Sequence, residues 1–463
     1  MKKSLDAIRG MKVTVMGLGL NGGGLEAARF FARQGAQVTV TDLRSKEVLR
    51  PSLEQLSGLP IRYVLGRHDL SDFQEADLVV KNPAVRPDSP FLKAARNVET
   101  DLSIFLSFFS GPLLAVTGSK GKSTIVSALY YGLQKIFPQS RLGGNITISP
   151  LSFLDEIDNS TPVVLELSSF QLGDLPDPTI LKPRIAIITS IFPDHQDRYP
   201  DMETYVNDKR IIYRSQKEKD SSIFHYDDPF GKRFLMETPA TPYAVSSSPL
   251  PKDVQGAFLE ENKGWIVTGN RKELIVPEQV SVIGPHQRKN LLFAGLALRL
   301  FGLPSELVQE SMAAFPGVEH RLEFCGEAKG VRFYNDSAAT VPEALVCGVE
   351  SFSQPVLLIT GGTDKNLDFT PFRRVAEKLK TIYLIEGTAT RKLKEILEAA
   401  GIRYKGPYDA LETAVQEAFQ NSNPGDVILF SPGCTSFGMF LNEFDRGRKY
   451  KALVATLLNQ DPS

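Results

Sequence analysis

Short apolar runs recur along the whole chain, most followed by a glycine or polar turn and then by an amphipathic segment of helical length. Strand, turn and helix in repetition is the pattern of βαβ units, so the spacing predicts an α/β protein with mainly parallel sheets. The clearest predicted strands are Val13–Met16, Val38–Thr41, Leu113–Val116, Val163–Leu167, Ile185–Thr189, Val331–Tyr334, Val356–Ile359, Ile382–Ile385 and Val427–Phe430. They form three clusters. The first ends in the apolar stretch Leu102–Phe109 and the turn Ser110-Gly111-Pro112, and the second ends near Phe315-Pro316-Gly317, beyond the helical run Leu291–Phe301. These breaks give three expected domains, 1–105, 106–316 and 317–463. The turn-rich stretch Ser246–Gly269, with Trp265 inside it, reads as a small hairpin insertion. No apolar run approaches the length of a membrane span.

Composition narrows the class. A chain of 463 residues, 42% hydrophobic, is long enough for several independent cores. Its 53 Lys and Arg nearly balance 54 Asp and Glu, without a block of like charges, so neither nucleic acid nor a membrane surface is an expected partner. Cys325, Cys347 and Cys434 are widely spaced and form no C-x-x-C pair, which argues against a disulfide framework or a zinc cluster and for a reducing cytoplasm. The N-terminal residues reach Asp6 and Arg9 before any apolar core of a signal peptide forms.

Candidate chemistry begins at Gly118-Ser119-Lys120-Gly121-Lys122-Ser123-Thr124, which follows one predicted strand and precedes a helix. In that setting glycines let backbone N–H groups close around phosphate oxygens. Lys122 adds a point charge, and Ser123 offers a hydroxyl to magnesium. A nucleoside triphosphate fits. The general P-loop pattern wants a further glycine where Val116 stands, so the loop is a shorter variant. Gly17-Leu18-Gly19-Leu20-Asn21-Gly22 satisfies G-x-G-x-x-G after a strand, with Asp42 ending the next one. That turn suits a dinucleotide, a UDP-sugar or a bare Rossmann-like crossover. Glu166 closes a predicted strand and His195 follows another, in Pro193-Asp194-His195-Gln196-Asp197-Arg198. Ligands of open α/β sheets gather at the carboxyl ends of strands, so both residues would join the phosphate loop there, as magnesium ligands.

Taken with Glu166-Leu167-Ser168-Ser169-Phe170-Gln171-Leu172, Asn335-Asp336-Ser337 and Ser431-Pro432-Gly433-Cys434-Thr435-Ser436-Phe437, these residues resemble the Mur ligase superfamily, over essentially the full chain. Within it the likeness is to the branch that adds D-glutamate to UDP-N-acetylmuramoyl-L-alanine. No D-N-P-R sequence, the mark of the diaminopimelate- or lysine-adding branches, occurs. The resemblance implies three Rossmann-like domains holding the UDP-sugar, ATP and the incoming amino acid in turn, in a cytoplasmic enzyme expected to be a monomer. Carried over by position, Leu20, Asn21, Asp42 and Arg44 would lie at the uridine diphosphate and Asn145 at the muramoyl group. Asn290 and Arg321 would approach the nucleotide, and Asp336 would bind its ribose. Glu166 and His195 would serve two magnesium sites, with Lys209 as a carbamate holding the second metal. Thr340, Lys365 and Ser436 would recognise the D-glutamate carboxylates. Without the resemblance, Lys209 in an amphipathic helix reads equally as a solvated surface charge. The chain departs from many relatives in having Ala338 and Ala339 where a lysine follows Asn335-Asp336-Ser337, Gln287 for a common Asn, and Gly438 for a frequent Asp.

The chemistry implied is amide formation with ATP supplying the leaving group: a carboxylate attacks the γ-phosphate, and an amine then displaces phosphate from the acyl phosphate. Lys122 and magnesium would offset the repulsion between the carboxylate and the triphosphate. A nicotinamide oxidoreductase would use the first glycine turn but would leave Lys122, Glu166 and Lys209 without a role. The other rivals are a ligase adding a different amino acid and a non-catalytic precursor-binding protein.

Overall fold

The computed structural model describes residues 5–20, 22–146, 148–194, 198–269, 271–436 and 438–460. The first sheet takes β1 (Lys12–Met16), β2 (Gln37–Asp42), β3 (Ile61–Leu65), β4 (Leu78–Lys81) and β5 (Val98–Glu99) in the order β3-β2-β1-β4-β5. All its pairings are parallel. The second sheet contains β6 (Leu113–Thr117), β7 (Arg141–Gly144), β8 (Val163–Glu166), β9 (Ile185–Ile188), β10 (Ser221–His225), β11 (Thr241–Ser246), β12 (Gly256–Glu260), β13 (Lys263–Thr268) and β14 (Arg271–Val276). Their order is β14-β13-β12-β11-β10-β9-β6-β8-β7. The third holds β15 (Glu323–Ala328), β16 (Val331–Asn335), β17 (Val356–Thr360), β18 (Leu379–Ile385), β19 (Tyr404–Tyr408) and β20 (Val427–Phe430), ordered β15-β16-β20-β17-β18-β19.

Every predicted strand is present, and the α/β class holds. The central strands β6, β8, β9, β17 and β20 are buried along their whole length. Helices on both faces of a parallel sheet leave no wet side, which is why these runs read as continuous apolar stretches instead of alternating ones. The expected hairpin at Ser246–Gly269 is present as β12 and β13, paired antiparallel from Glu260 and Lys263 outward, but it is built into the second sheet. There β12 pairs parallel with β11, and β13 and β14 follow antiparallel, so the segment extends the second sheet as an edge meander. Gly256 permits it: a Cβ at that position would lie 1.9 Å from the Ala244 carbonyl oxygen.

The chain forms two compact units, Met1–Gln279 with Lys289–Ala313, and Val280–Arg288 with Ala314–Ser463. The first unit carries the first two sheets and the second carries the third. In the first two sheets the order reverses beside β1 and beside β6, and the two glycine turns follow those strands. Such switch points open crevices at the carboxyl ends of the strands.

Candidate active site

The phosphate loop is shaped by glycines whose places a side chain cannot take. Gly118 has φ 138°, and a Cβ there would sit 1.9 Å from Thr189 Oγ1. That hydroxyl donates to the Lys120 carbonyl at 2.6 Å, while the Ser119 N–H donates to the Ser190 carbonyl at 2.8 Å, so the end of β9 holds the loop from below. Gly121, at φ 88°, opens the Lys122–Leu133 helix in a left-handed conformation. A Cβ on Gly121 would lie 2.6 Å from Asn290 Oδ1, which places Asn290 against the loop. Thr124 is buried, Ser123 half-buried and Lys120 exposed. Lys122 Nζ folds back onto the Gly118 carbonyl at 2.9 Å and the Ser119 carbonyl at 3.3 Å.

Lys209 is not a surface charge. It lies on the Met202–Arg214 helix, is 2% exposed, and donates from Nζ to the same Gly118 carbonyl at 3.0 Å. Nζ stands 4.5 Å from the centre of the Tyr205 ring. Burial, and then the neighbouring Lys122 charge, hold its ammonium pKa well below the ordinary lysine range, against the pull of Asp194, Asp208 and Glu166. The helix is fixed from two sides. Tyr205 Oη pairs with Ser119 Oγ at 2.9 Å, and Tyr199 Oη donates to Asp208 Oδ2 at 2.8 Å.

Glu166 ends β8, 2% exposed, and accepts from Asn145 Nδ2 through Oε1 at 2.9 Å. Its Oε2 is buried with no hydrogen-bond partner among the described residues. A buried carboxylate oxygen left unpartnered is costly unless a cation or a ligand proton completes it, and a hard divalent cation suits an oxygen donor of this kind. His195, another of the expected metal ligands, lies outside the described residues, as does Asn21. The Ser168 and Gln171 part of the motif is local scaffolding: their side chains make reciprocal capping bonds at the start of the Ser169–Gly173 helix.

In the first glycine turn, Gly17, Gly19 and Gly22 have φ of 90°, 65° and 94°. Close approach is made by Gly24, whose Cβ would meet the Gly17 carbonyl oxygen at 2.1 Å. Asp42, buried at the end of β2, accepts the N–H of Gly19 at 3.1 Å and of Arg44 at 2.9 Å, so its carboxylate organises the turn itself. Leu20 is 50% exposed beside it. Gly23 at this turn and Gly118, Lys122, Asn145, Asp194 and Lys209 all line one cavity of about 400 Å³. Two glycine turns thus open on one space. Sequence reading missed other residues of that cavity, Asn82, Asp101 and Ser149 among them. Asp101 is buried, accepts from Ser149 Oγ at 2.8 Å and has its pKa raised by burial. Its only local signal is the capping box of Thr100 and Ser103, which marks a helix start.

The second unit gathers the remaining candidates on three loops at the carboxyl ends of its strands. Asp336, after β16, is buried; its Oδ1 accepts from the Leu322 N–H at 3.2 Å and its Oδ2 from Ser431 Oγ at 2.8 Å. Burial pushes its carboxyl up to about 7. Arg321 is exposed, one residue before Leu322, at the turn where His320 and Leu322 take φ of 65° and 47°. The loop after β17 reaches exposed Lys365, and the loop after β20 reaches buried Ser436. These two loops exchange backbone bonds between Thr363 and Thr435, at 2.9 and 3.2 Å. The Gly433 N–H donates to the Ala339 carbonyl at 2.9 Å, joining them to the loop that carries half-buried Thr340.

Three family descriptions match in succession: the Mur ligase MurD-like N-terminal domain over residues 11–103, the Mur ligase middle domain over 116–298, and the Mur ligase glutamate ligase domain over 320–434. The chain belongs to the Mur ligase family. Among its relatives, UDP-N-acetylmuramoylalanine--D-glutamate ligase of Borreliella afzelii is 41% identical, over 98% of this chain and 99% of that one. The protein of the same name from Treponema pallidum is 38% identical, again over 98% and 99%. That of Roseiflexus sp. is 42% identical over 96% of this chain and 99% of its own. Solved structures share the fold. UDP-N-acetylmuramate-alanine ligase MurC from Thermotoga maritima has a TM-score of 0.62 at 18% identity, covering 96% of this chain and 99% of that one. MurF ligase from the same organism, in complex with ADP, has a TM-score of 0.57 at 18% identity, covering 99% and 97%.

Proposed function

We propose that the chain joins D-glutamate to UDP-N-acetylmuramoyl-L-alanine at the expense of ATP, releasing ADP and phosphate, in the synthesis of the peptidoglycan precursor. The observation that carries this reading is the meeting of Lys122 and Lys209 on the Gly118 carbonyl, in a cavity that also receives the first glycine turn. The full-length relatives of that name support it. A non-catalytic binding protein would need neither lysine.

In this reading the turn from Gly17 to Gly24, with Leu20, Asn21, Asp42 and Arg44, holds the uridine diphosphate end, and Asn145 orients the muramoyl group. The backbone from Gly118 to Thr124 and the Lys122 ammonium hold the ATP phosphates, with Asn290, Arg321 and Asp336 at the nucleoside. The alanyl carboxylate attacks the γ-phosphorus and ADP leaves; the D-glutamate amine, held by Thr340, Lys365 and Ser436, then attacks the acyl carbon and expels phosphate. Lys122 lowers the barrier by meeting the negative charge that develops on the transferring phosphoryl group. Ser123, Glu166, His195 and a carbamate of Lys209 would hold magnesium at two sites, and when bound the metal supplies charge neutralisation between carboxylate and triphosphate. The unpartnered Glu166 Oε2 supports that assignment. The depressed pKa of Lys209 supports the carbamate, because carbon dioxide adds only to the neutral amine. The domain limits 1–105, 106–316 and 317–463, the monomeric state and the cytoplasmic site of action are part of the same proposal; among the described residues no helix is long and apolar enough to cross a membrane.

The test is ADP release by the purified protein. It should require UDP-N-acetylmuramoyl-L-alanine and D-glutamate together, and D-glutamate should outperform other amino acids. Equal ADP release with either substrate omitted would refute the reading.

A further inference from the structure

Arg446, on the Glu443–Gln460 helix, is 1% exposed and yet forms no ion pair with a carboxylate among the described residues. Its Nε donates to Ser337 Oγ at 3.1 Å, one terminal nitrogen to the Ser337 carbonyl at 2.8 Å, and the other to the Cys434 carbonyl at 3.1 Å. A Cβ on Gly362 would stand 3.5 Å from that last nitrogen. One guanidinium therefore underlies all three loops that lead to Thr340, Lys365 and Ser436. The helix approaches closely enough because the next residue is Gly447, where a Cβ would lie 2.3 Å from His320 Nδ1. Burial lowers the pKa of Arg446 to about 10, against the opposing pull of Cys434 and of the carboxylates of Glu443 and Asp336, neither of which forms an ion pair with it among the described residues.

Carbonyl oxygens satisfy the N–H groups of a buried arginine but leave its net charge uncancelled, and burying such a charge is unfavourable without a counter-ion. We propose that Arg446 is a positioning residue for the acidic amino acid: it fixes the three loops in register and supplies, from beneath them, the positive potential that a dicarboxylate substrate neutralises. This rests on the function proposed above. It also gives the loops a buried cation where Ala338 and Ala339 offer none. The guanidinium does not reach the surface, so its action on the substrate runs through the loops and through the field they enclose.

The test compares Arg446→Lys and Arg446→Gln in the full-length protein, with thermal melts recorded for both. With the other substrates saturating, the D-glutamate KM should rise about tenfold in R446K and on the order of a hundredfold in R446Q. The KM for ATP should move less than about threefold in both, and R446Q should lose most of the preference for D-glutamate over D-glutamine. A purely structural staple predicts equal losses for every substrate and an unchanged preference between the two amino acids; that result overturns the proposal, as does an unchanged D-glutamate KM. Should R446Q fail to fold, R446K alone decides through the ratio of its two KM changes. Failure of the functional reading would look different, because the wild-type protein would then show no D-glutamate-dependent ADP release.

Discussion

Two side chains in one cavity ask the same carbonyl for a hydrogen bond, and that is unstable electrostatics for two ammonium groups. Lys122 and Lys209 both reach Gly118 O, and the buried one, Lys209, is the one driven toward the neutral amine. If it serves as a carbamate, Lys209→Ala should be nearly inactive and should regain part of its rate with acetate or formate, which place an oxygen anion in the vacated space. Added amines should not help; rescue by amines alone would make Lys209 a cationic residue. Asp336 gives a second test. Burial raises its carboxyl from the ordinary 3.8 to about 7 in the fold. Between those values the folded protein holds a proton that the unfolded chain has released, so this group's contribution to stability is complete below the window and declines as pH rises through it. Asp336→Asn should therefore gain stability relative to wild type on going from about pH 5 to about pH 7.5, measured by urea denaturation at each pH. The identities of these residues were legible as motif members, but the burial of Lys209 was not. An amphipathic helix shows its apolar stripe in sequence, whereas the long stem of a lysine lets it sit at the border of that stripe and point either way.

At the scale of elements, the position of Lys209 depends on how two helices touch. The Ser169–Gly173 helix meets the Met202–Arg214 helix at Gly173, where a Cβ would fall 2.3 Å from Asp208 Oδ2. Gly173 has no special backbone angle, so the requirement is space alone. Gly173→Ala should push the longer helix, and with it Lys209, away from the phosphate loop. A shift approaching 1 Å costs on the order of 10² in rate, and steady-state kinetics should show it mainly in kcat. Asp208→Ala removes the atom that is struck, so the double variant should be faster than Gly173→Ala alone; strict additivity of the two single effects would argue that the helices do not couple here. This contact shows where sequence reading stops. The phosphate loop could be read because its glycines fall at fixed spacing between a strand and a helix. Gly173 and Gly447 fall inside or beside helices, where a glycine carries no such spacing, and their meaning comes from a partner many residues away. The edge meander β12–β14 was only half legible for a related reason: its turns are local signals, but the parallel pairing of β12 with β11 is a long-range choice.

For the molecule as a whole, the first two sheets are fastened into one unit by charges the sequence did not single out. Lys81, the last residue of β4, forms an ion pair with Asp174, and their side chains are 5% and 4% exposed. Arg198 adds a second cation, 3.3 Å from Asp174 Oδ1, donates to the Pro83 carbonyl at 3.2 Å, and lies 3.9 Å from the centre of the Phe170 ring. Asp101 with Ser149 and Gln34 with Asp155 add further bonds from the first sheet's helices to the middle region. Residue 105 lies within the Asp101–Phe108 helix, between the last strand of the first sheet and the first of the second, and these contacts explain why residues on both sides of it form one compact body. The three partners are unequal. Removing Asp174 leaves two cations facing each other in a dry place, whereas removing Lys81 leaves Asp174 still paired with Arg198. Breaking a buried pair from one side costs about 3–5 kcal/mol, so Asp174→Ala should lose at least that range and Lys81→Met clearly less, since an apolar stem of similar length fills the same space. Denaturant titration of both variants checks the order. If Lys81→Met proves the more damaging, the aspartate is not the centre of the latch, and the joint between the two sheets rests on their apolar packing.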